Sequence, residues 1–303
     1  MSAAKWPEAA ASVKACCTAL YSNEWATFLL GDSFHPGGLR LTERLGELLR
    51  LGPKSRVLDV AAGRGTSALA LARRFGCQVT CVDLAPSNLR HARAAAEQAG
   101  LTGLVDVVAG DAEALPFDDA SFDAIICECA LCTFPNKTTA ASEIARVLRP
   151  GGQIGLSDIV VSGSLPTGLD SALAMAACIA DAQSADAYAE LLRDAGLTAI
   201  VIERHDDALL AMIELIKTRL VAAQLLVRTR IAGGPGLDLS SARTLAKRAA
   251  QAIGEGALGY ALLTATKPNE FDRSRTAPGS LTASRLLTLA SESWTNGPPA
   301  VSR

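Results

Sequence analysis

The sequence predicts an α/β fold in which helices cover both faces of a mainly parallel β-sheet. Apolar strands of about five residues alternate with helical segments through the first half of the chain. Strands buried on both faces form continuous apolar runs, and such strands need helical crossovers between them. Parallel connections are right-handed, and ligands then bind at the carboxyl ends of the strands. We therefore expect the functional residues in the loops that follow the strands.

Each predicted element follows from a local pattern. Apolar residues at helical spacing predict the helices, and a glycine or proline closes several elements. In order, the first half predicts a helix in 39–51, a strand in 56–60, a helix in 66–75, a strand in 78–83, a helix in 87–99, strands in 105–109 and 122–129, a helix in 138–148 and a strand in 153–160. The second half predicts helices in 184–195, 207–230 and 240–254 and strands in 199–205 and 259–266.

Composition excludes several functional classes. The chain has 303 residues, with 29 basic against 31 acidic ones, so no net charge directs it to nucleic acid or to an anionic membrane. No apolar run approaches the roughly 20 residues of a membrane span, and the N-terminus "MSAAKWPEAA" lacks a signal-peptide core. Eight cysteines without such a signal favour free thiols in a reducing, cytoplasmic environment.

The loop after the first strand, "LDVAAGRGTSA", fits two patterns. Gly63, Gly65 and Ala68 match G-x-G-x-x-A, and Asp83 lies 20 residues after Gly63, as in the dinucleotide fingerprint of NAD-dependent oxidoreductases. The second pattern starts at Asp59, ahead of the glycines. Acids in this position would repel a pyrophosphate but are compatible with a cationic sulfonium.

The series Asp59-x-Ala61-x-Gly63-x-Gly65 resembles the D-x-G-x-G-x-G loop of class I S-adenosylmethionine-dependent methyltransferases, although Ala61 replaces the first glycine. The resemblance continues in "GDAEALPF", "FDAII" and "RVLRPGGQIGLSD", and it spans roughly residues 55–160. It implies a Rossmann-like seven-stranded sheet with helices on both faces, a helical N-terminal cap and helical C-terminal additions. The implied domains are a cap in 1–50, an S-adenosylmethionine-binding core in 51–162, substrate-side helices and closing strands in 163–268, and a disordered or loosely packed tail in 269–303.

The same resemblance assigns the cofactor contacts. It implies that Asp83 holds the ribose hydroxyls of S-adenosyl-L-methionine and that Asp111 contacts the adenine amino group. The full set of implied cofactor-binding residues is Asp59, Ala61, Gly63, Gly65, Asp83, Leu84, Asp111, Ala112 and Cys127.

The segment "CECALCTFPNK" places three cysteines within six positions. A structural zinc site needs more cysteines or histidines at suitable spacing, and the only histidines are His35, His91 and His205. Buried packing is the ordinary role of free cysteine, and we assign Cys77 and Cys81 to it.

"FDAIICECALCTFPNK" resembles the strand-four segment of arsenite methyltransferases, in which a cysteine at the place of Cys129 binds arsenic. "CIADAQSADAYAELLRDAGL" resembles the following segment of that family, which places a second arsenic-binding cysteine at Cys178. The resemblance implies trivalent arsenic or another thiophilic metalloid as substrate of Cys129 and Cys178, with a possible thiol reductant as partner. The family's third cysteine, before strand one, and its C-terminal cysteine pair are missing here.

Other acceptors therefore stay open. His35, in "GDSFHPGG", and Glu128 are candidate bases for an organic small-molecule acceptor with an oxygen, nitrogen, sulfur or carbon atom to methylate. Cys132 and Cys17 are further substrate-side candidates. An NAD-dependent oxidoreductase and a non-catalytic metalloid-binding protein are the remaining alternatives.

Overall fold

The computed structural model describes residues 14, 28–31, 33–170, 174, 178–228 and 238–269. Strands and helices alternate in its first half, as the sequence predicts. The elements are α1 (Gly38–Leu48), β1 (Arg56–Val60), α2 (Thr66–Phe75), β2 (Gln78–Asp83), α3 (Pro86–Gln98), β3 (Val105–Ala109), β4 (Phe122–Glu128), α4 (Lys137–Val147), β5 (Leu148–Val161), α5 (Ala185–Asp194), β6 (Thr198–Arg204), α6 (Asp206–Arg228), α7 (Leu239–Gly254) and β7 (Leu258–Thr266).

The described strands form one seven-stranded sheet in the order β3-β2-β1-β4-β5-β7-β6. Strands β1 to β5 pair in parallel, whereas β7 is antiparallel to both β5 and β6. Two apolar layers cover the two faces of the sheet. This confirms the predicted α/β fold and strand number, and the strand order reverses direction between β1 and β4. A crevice forms at such a reversal, outside the carboxyl ends of the strands.

The main difference in element boundaries is at β5. The helix predicted to run to about residue 148 ends at Val147, and the strand begins at Leu148 rather than at Gln153. The turn "RPGG" is thus part of the strand segment. Lys267 secures this end of the sheet, because its Nζ donates to the carbonyl oxygens of Ala145 and Leu148 at 2.7 and 2.6 Å.

Helix α1 packs unusually close to the sheet and to α2, and two glycines allow this. A Cβ atom on Gly46 would lie 2.5 Å from the Phe75 ring, and one on Gly155 would lie 2.7 Å from the Leu45 side chain. Leu45 is fully buried. The close approach brings the amino-terminal part of α1, with Thr42, over the carboxyl end of β4.

Several sequence predictions fall outside the described residues. These are the tail in 269–303 apart from Asn269 itself, the end of the helix predicted for 207–230, Cys16 and Cys17, and most of the N-terminal cap. The domain boundaries remain a prediction. Within the described ranges, every helix is too short or too polar to cross a membrane.

Candidate functional site

A cleft opens at the carboxyl ends of β1 to β4, where the sequence predicts the site. We call its two parts the cofactor half and the acceptor half. The cofactor half contains Asp59, Ala61, Gly63, Asp83, Leu84, Asp111 and Ala112, together with Lys14, Arg64 and Asn88. The acceptor half contains Phe34, His35, Glu128, Cys129, Thr133 and Phe134.

The loop between β1 and α2 has a backbone that few side chains favour. Ala61, Gly63 and Gly65 have φ angles of 57°, 54° and 77°, all in the left-handed region. Ala61 therefore adopts there a conformation that glycine adopts more readily. Gly65 does not line the cleft. A Cβ atom at this position would lie 2.9 Å from Cβ of Ala92, so Gly65 permits the contact between α2 and α3.

Asp59 has a buried side-chain oxygen that a bound ligand could satisfy. Its side chain is buried, and its Oδ2 atom has no hydrogen-bond partner among the described residues. Burial and the nearby carboxylates of Glu128 and Asp83 raise the pKa of Asp59 well above its usual value. Since a buried acceptor without a partner is costly, the site fits a ligand that brings a donor or a positive charge. The ammonium group of a methionine moiety meets this requirement.

Asp83, at the end of β2, is held by the backbone on both carboxylate oxygens. The amide of Gly63 donates to Oδ2 at 2.8 Å, and the amide of Ala85 donates to Oδ1 at 2.7 Å. Burial raises the pKa of Asp83, and these hydrogen bonds oppose the shift. Each carboxylate oxygen can accept more than one hydrogen bond, so the side chain retains capacity for a pair of hydroxyl groups such as those of a ribose.

Asp111 lies in the loop after β3, at the outer end of the cofactor half. Its Oδ2 atom pairs with Lys14 Nζ at 2.7 Å, and Lys14 also contacts Glu113 at 3.0 Å. Arg146 of α4 fixes this loop by donating to the carbonyl oxygens of Leu115 and Phe117. The position of Asp111 therefore depends on α4 as well as on the end of β3.

The acceptor half contains a buried network of four polar side chains. Glu128 accepts hydrogen bonds from the Ser67 hydroxyl at 2.6 Å and from the Thr42 hydroxyl at 3.0 Å. His35 Nε2 lies 3.6 Å from Oε2 of Glu128, with 7% and 4% of the two side chains exposed. Thr42 and Ser67 also lie 3.3 and 3.4 Å from that nitrogen. A histidine and a carboxylate thus share one water-poor polar cluster that borders the cleft.

Behind this network, three thiols come together. The Cys178 thiol donates to the carbonyl oxygen of Cys129 at 3.2 Å and interacts with the thiols of both Cys129 and Cys132. The hydrogen bond with Cys178 and burial raise the pKa of Cys129, and burial raises that of Cys132. Cys129 and Cys178 both have positive φ angles, 52° and 62°. Asp158 lies beside them and accepts from the Cys132 amide at 2.9 Å.

The structure brings together most of the predicted residues, but four of the described ones do not line the cleft. Cys127 is fully buried in the apolar core, because successive side chains of a strand point to opposite faces and Glu128 takes the cleft side. Cys132 and Cys178 are buried and lie behind Cys129 instead of lining the cleft. Gly65, as described above, serves helix packing. Cys77 and Cys81 are buried core residues, as predicted.

Sequence reasoning missed Thr42 and Ser67, whose hydroxyls link His35 to Glu128. Ser67 stands in the predicted glycine-loop helix, but nothing in its local pattern indicates a partner 61 residues away. Within the described ranges, no group of three or more histidine, cysteine, aspartate or glutamate side chains could hold a metal ion.

Comparison with known proteins agrees with the fold and the cleft. Residues 58–156 match the methyltransferase domain family. Over 171 residues the chain is 32% identical to sarcosine/dimethylglycine N-methyltransferase of Halorhodospira halochloris, a match that covers 56% of this chain and 61% of that protein. The chain thus spans less than two thirds of the length of this curated relative.

Solved structures share the architecture over a larger part of the chain. The [4+2]-cyclase SpnF superposes with a TM-score of 0.68 and 25% identity, over 84% of this chain and 93% of that one. Phosphoethanolamine N-methyltransferase 2 of Haemonchus contortus, in complex with S-adenosyl-L-methionine, superposes with a TM-score of 0.65 and 21% identity, over 84% of this chain and 57% of that one.

Fold, cleft and family match together define the class of protein. Residues 58–156 match the methyltransferase domain family and lie in a sheet with the class I methyltransferase topology, which agrees with the enzyme class and cofactor predicted from the sequence. The relatives described here include no arsenite methyltransferase, and none of them supports the NAD-dependent alternative. A cyclase with the same fold shows that the fold alone does not decide the chemistry.

Proposed function

We propose that the protein transfers a methyl group from S-adenosylmethionine to an oxygen or nitrogen atom of a small organic molecule. The observation that carries this proposal is the buried pair of His35 and Glu128 at the acceptor half of the cleft. A hydroxyl or ammonium group must lose a proton when it is methylated. A histidine backed by a carboxylate is a suitable recipient for that proton.

The hydrogen bonds of His35 support this role. Its Nδ1 atom lies 3.3 Å from the carbonyl oxygen of Pro36, which can only accept, and on this contact we assign the hydrogen of the neutral ring to Nδ1. The neutral ring then has its lone pair on Nε2. Ser67 is much closer to Glu128 than to His35 and gives its single proton to the carboxylate. Nε2 is therefore able to take up a proton, and Glu128 then stabilises the imidazolium.

The residues of the cofactor half have separate tasks. When bound, S-adenosylmethionine supplies an electrophilic methyl group on a positively charged sulfur. Asp83 would hold the ribose, Asp111 the adenine amino group, and the partnerless Oδ2 of Asp59 the methionine ammonium. During methyl transfer from the bound cofactor, His35 would take up the proton that the acceptor atom loses. Positioning of the two reactants contributes further to the rate.

Replacement of His35 by asparagine and of Glu128 by glutamine tests the proposal. We expect each variant to lower kcat for methylation of an organic acceptor on the order of 100-fold, with little change in affinity for S-adenosylhomocysteine. The matched control is His91→Asn, because His91 is exposed on α3 and outside the cleft. Transfer of labelled methyl groups to a panel of phenols and amines, with calorimetry for cofactor affinity, gives both quantities. Full activity in both variants would overturn the assignment.

A second candidate acceptor is trivalent arsenic or a related thiophilic metalloid. The contact of Cys178 with Cys129 favours it, because two cysteines predicted from distant segments are neighbours and one of them, Cys129, lines the cleft. The raised pKa values of Cys129 and Cys132 oppose it, since the thiols must lose protons to bind. Methylation of arsenite or methylarsenite that is lost in Cys129→Ser and Cys178→Ser, but retained in the core variant Cys77→Ser, would support this candidate. The thiol reductant and the cytoplasmic location remain predictions.

A further inference from the structure

We infer that the acceptor is an uncharged, hydroxyl-bearing molecule of the phenol or enol type, without a carboxylate or phosphate group. This inference rests on the proposed function and narrows its substrate class. It comes from the distribution of charge around the cleft rather than from any one residue.

The acceptor half offers apolar surface together with one carboxylate. Phe34, Cys129 and Phe134 supply its apolar side chains, and Glu128 supplies a buried carboxylate. An anionic acceptor would be placed against this carboxylate in a poorly hydrated space, which is strongly unfavourable without a cation.

The lysine and arginine side chains that line the cleft lie outside its acceptor half. Among the described residues that line the cleft, the permanently charged cations are Lys14 and Arg64. Lys14 is paired with Asp111 and Glu113 at the adenine end. Arg64 belongs to the loop between β1 and α2, in the cofactor half. Neither belongs to the acceptor half. Lys137 of α4 lies beside that half, where its Nζ donates to the carbonyl oxygen of Phe134, and it forms an ion pair with Asp181.

The sequence itself strengthens this point. Residues 33–39, which lead up to α1 and include His35, contain no lysine or arginine, and neither do residues 150–170, which follow α4. These two described stretches include Phe34, His35 and Asp158. An uncharged hydroxyl, by contrast, needs only the proton acceptor that His35 and Glu128 provide.

Matched pairs of acceptors test the inference on the full chain. The first pair is methyl 3,4-dihydroxybenzoate and 3,4-dihydroxybenzoate, which share a catechol and differ in one negative charge. The second pair is N,N-dimethylglycine methyl ester and N,N-dimethylglycine. We expect kcat/KM for the catechol ester to exceed that for its acid by about tenfold or more, and the amine pair to be poor substrates. The binding affinities of the same compounds, measured by calorimetry with S-adenosylhomocysteine bound, should show the same order.

A positive charge added to the acceptor half tests the inference more directly. Thr133 lines the acceptor half, so Thr133→Lys would supply a cation, and Thr133→Gln is the uncharged control of similar length. We expect Thr133→Lys, but not Thr133→Gln, to reduce the preference for the ester by about tenfold.

The outcomes separate the inference from the proposed function. Methylation of the acids as fast as the esters would overturn the inference and leave the organic methyltransferase intact. Methylation of the metalloid alone would remove the proposed function, and the inference with it. Equal binding of ester and acid would overturn the inference whether or not product forms.

Discussion

The two halves of the cleft are built in different ways. In the cofactor half, each acid stands at or just beyond the end of its own strand, and backbone amides hold it. Asp83 accepts from Gly63 and Ala85, and Asp111 accepts from the amide two residues further on. In the acceptor half, the polar groups hold one another mainly through side chains. Thr42 and Ser67 reach Glu128 across 86 and 61 residues of sequence.

This difference has a practical consequence. Backbone amides stay in place when a side chain is changed, so a substitution in the cofactor half removes one ligand contact and leaves its neighbours positioned. A substitution in the acceptor half disturbs several other members of the network, because each member contacts more than one partner. We therefore expect variants of the cofactor half to affect binding and variants of the acceptor half to affect turnover.

The largest expected effect is in the cofactor half. Asp83→Ala should weaken binding of S-adenosylhomocysteine by at least about 100-fold, because it removes a charged acceptor from the ribose site. Titration calorimetry measures the loss. The control is Asp106→Ala, an exposed acid on the adjacent strand β3. If Asp83→Ala bound the nucleoside normally, the assignment of the cofactor half would be wrong.

The next effect concerns Asp158, which lies beside the three thiols behind the acceptor half. Burial raises the pKa of Asp158 from 3.8 to about 7. Between these values the folded state keeps a proton that the unfolded state has released, so stability falls as pH rises from about 4 to about 7. We expect Asp158→Asn to remove most of that fall, which amounts to roughly 4 kcal/mol. Urea unfolding at the two ends of this pH range measures the slope, and an unchanged slope in the variant would contradict the buried titration.

A smaller effect is expected from Thr42. Thr42→Val keeps the shape but removes the hydroxyl that donates to Glu128. We expect kcat to fall about tenfold and the pH profile of kcat to move, while affinity for S-adenosylhomocysteine stays the same. Thr138→Val, at an exposed position of α4, is the control. A loss confined to cofactor binding would show that the two halves are not independent in the way proposed here.

The smallest effect is expected from Cys178. Its side chain is 2% exposed and lies behind Cys129. For an organic acceptor, we expect Cys178→Ala to change kcat/KM by less than about threefold, because the thiol does not take part in proton transfer. Steady-state kinetics with a catechol measures the change. If Cys178→Ala lost activity toward a metalloid as well as toward the catechol, the metalloid would be favoured as the acceptor instead.

Much of the molecule was predictable because its signals are local. The alternation of strands and helices predicted the α/β sheet, and the resemblance to class I methyltransferases marked Asp59, Asp83 and Asp111 as cleft residues. Cys127 was misassigned because a strand alternates its faces, and only the sheet shows that Glu128 takes the cleft side. The neighbourhood of Cys129 and Cys178 was inferred from a family resemblance, yet the burial of Cys178 behind Cys129 was not.

The sequence by itself determined the sheet, the glycine loop and the three acids of the cofactor half, because each depends on residues within about one strand and its following loop. Only the tertiary structure decided which side chains meet in the acceptor half. Gly46 and Gly155 let α1 approach α2 and the sheet, and this close packing brings Thr42 to Glu128. Such a contact between distant segments depends on the shape of the packed core, which no local pattern records.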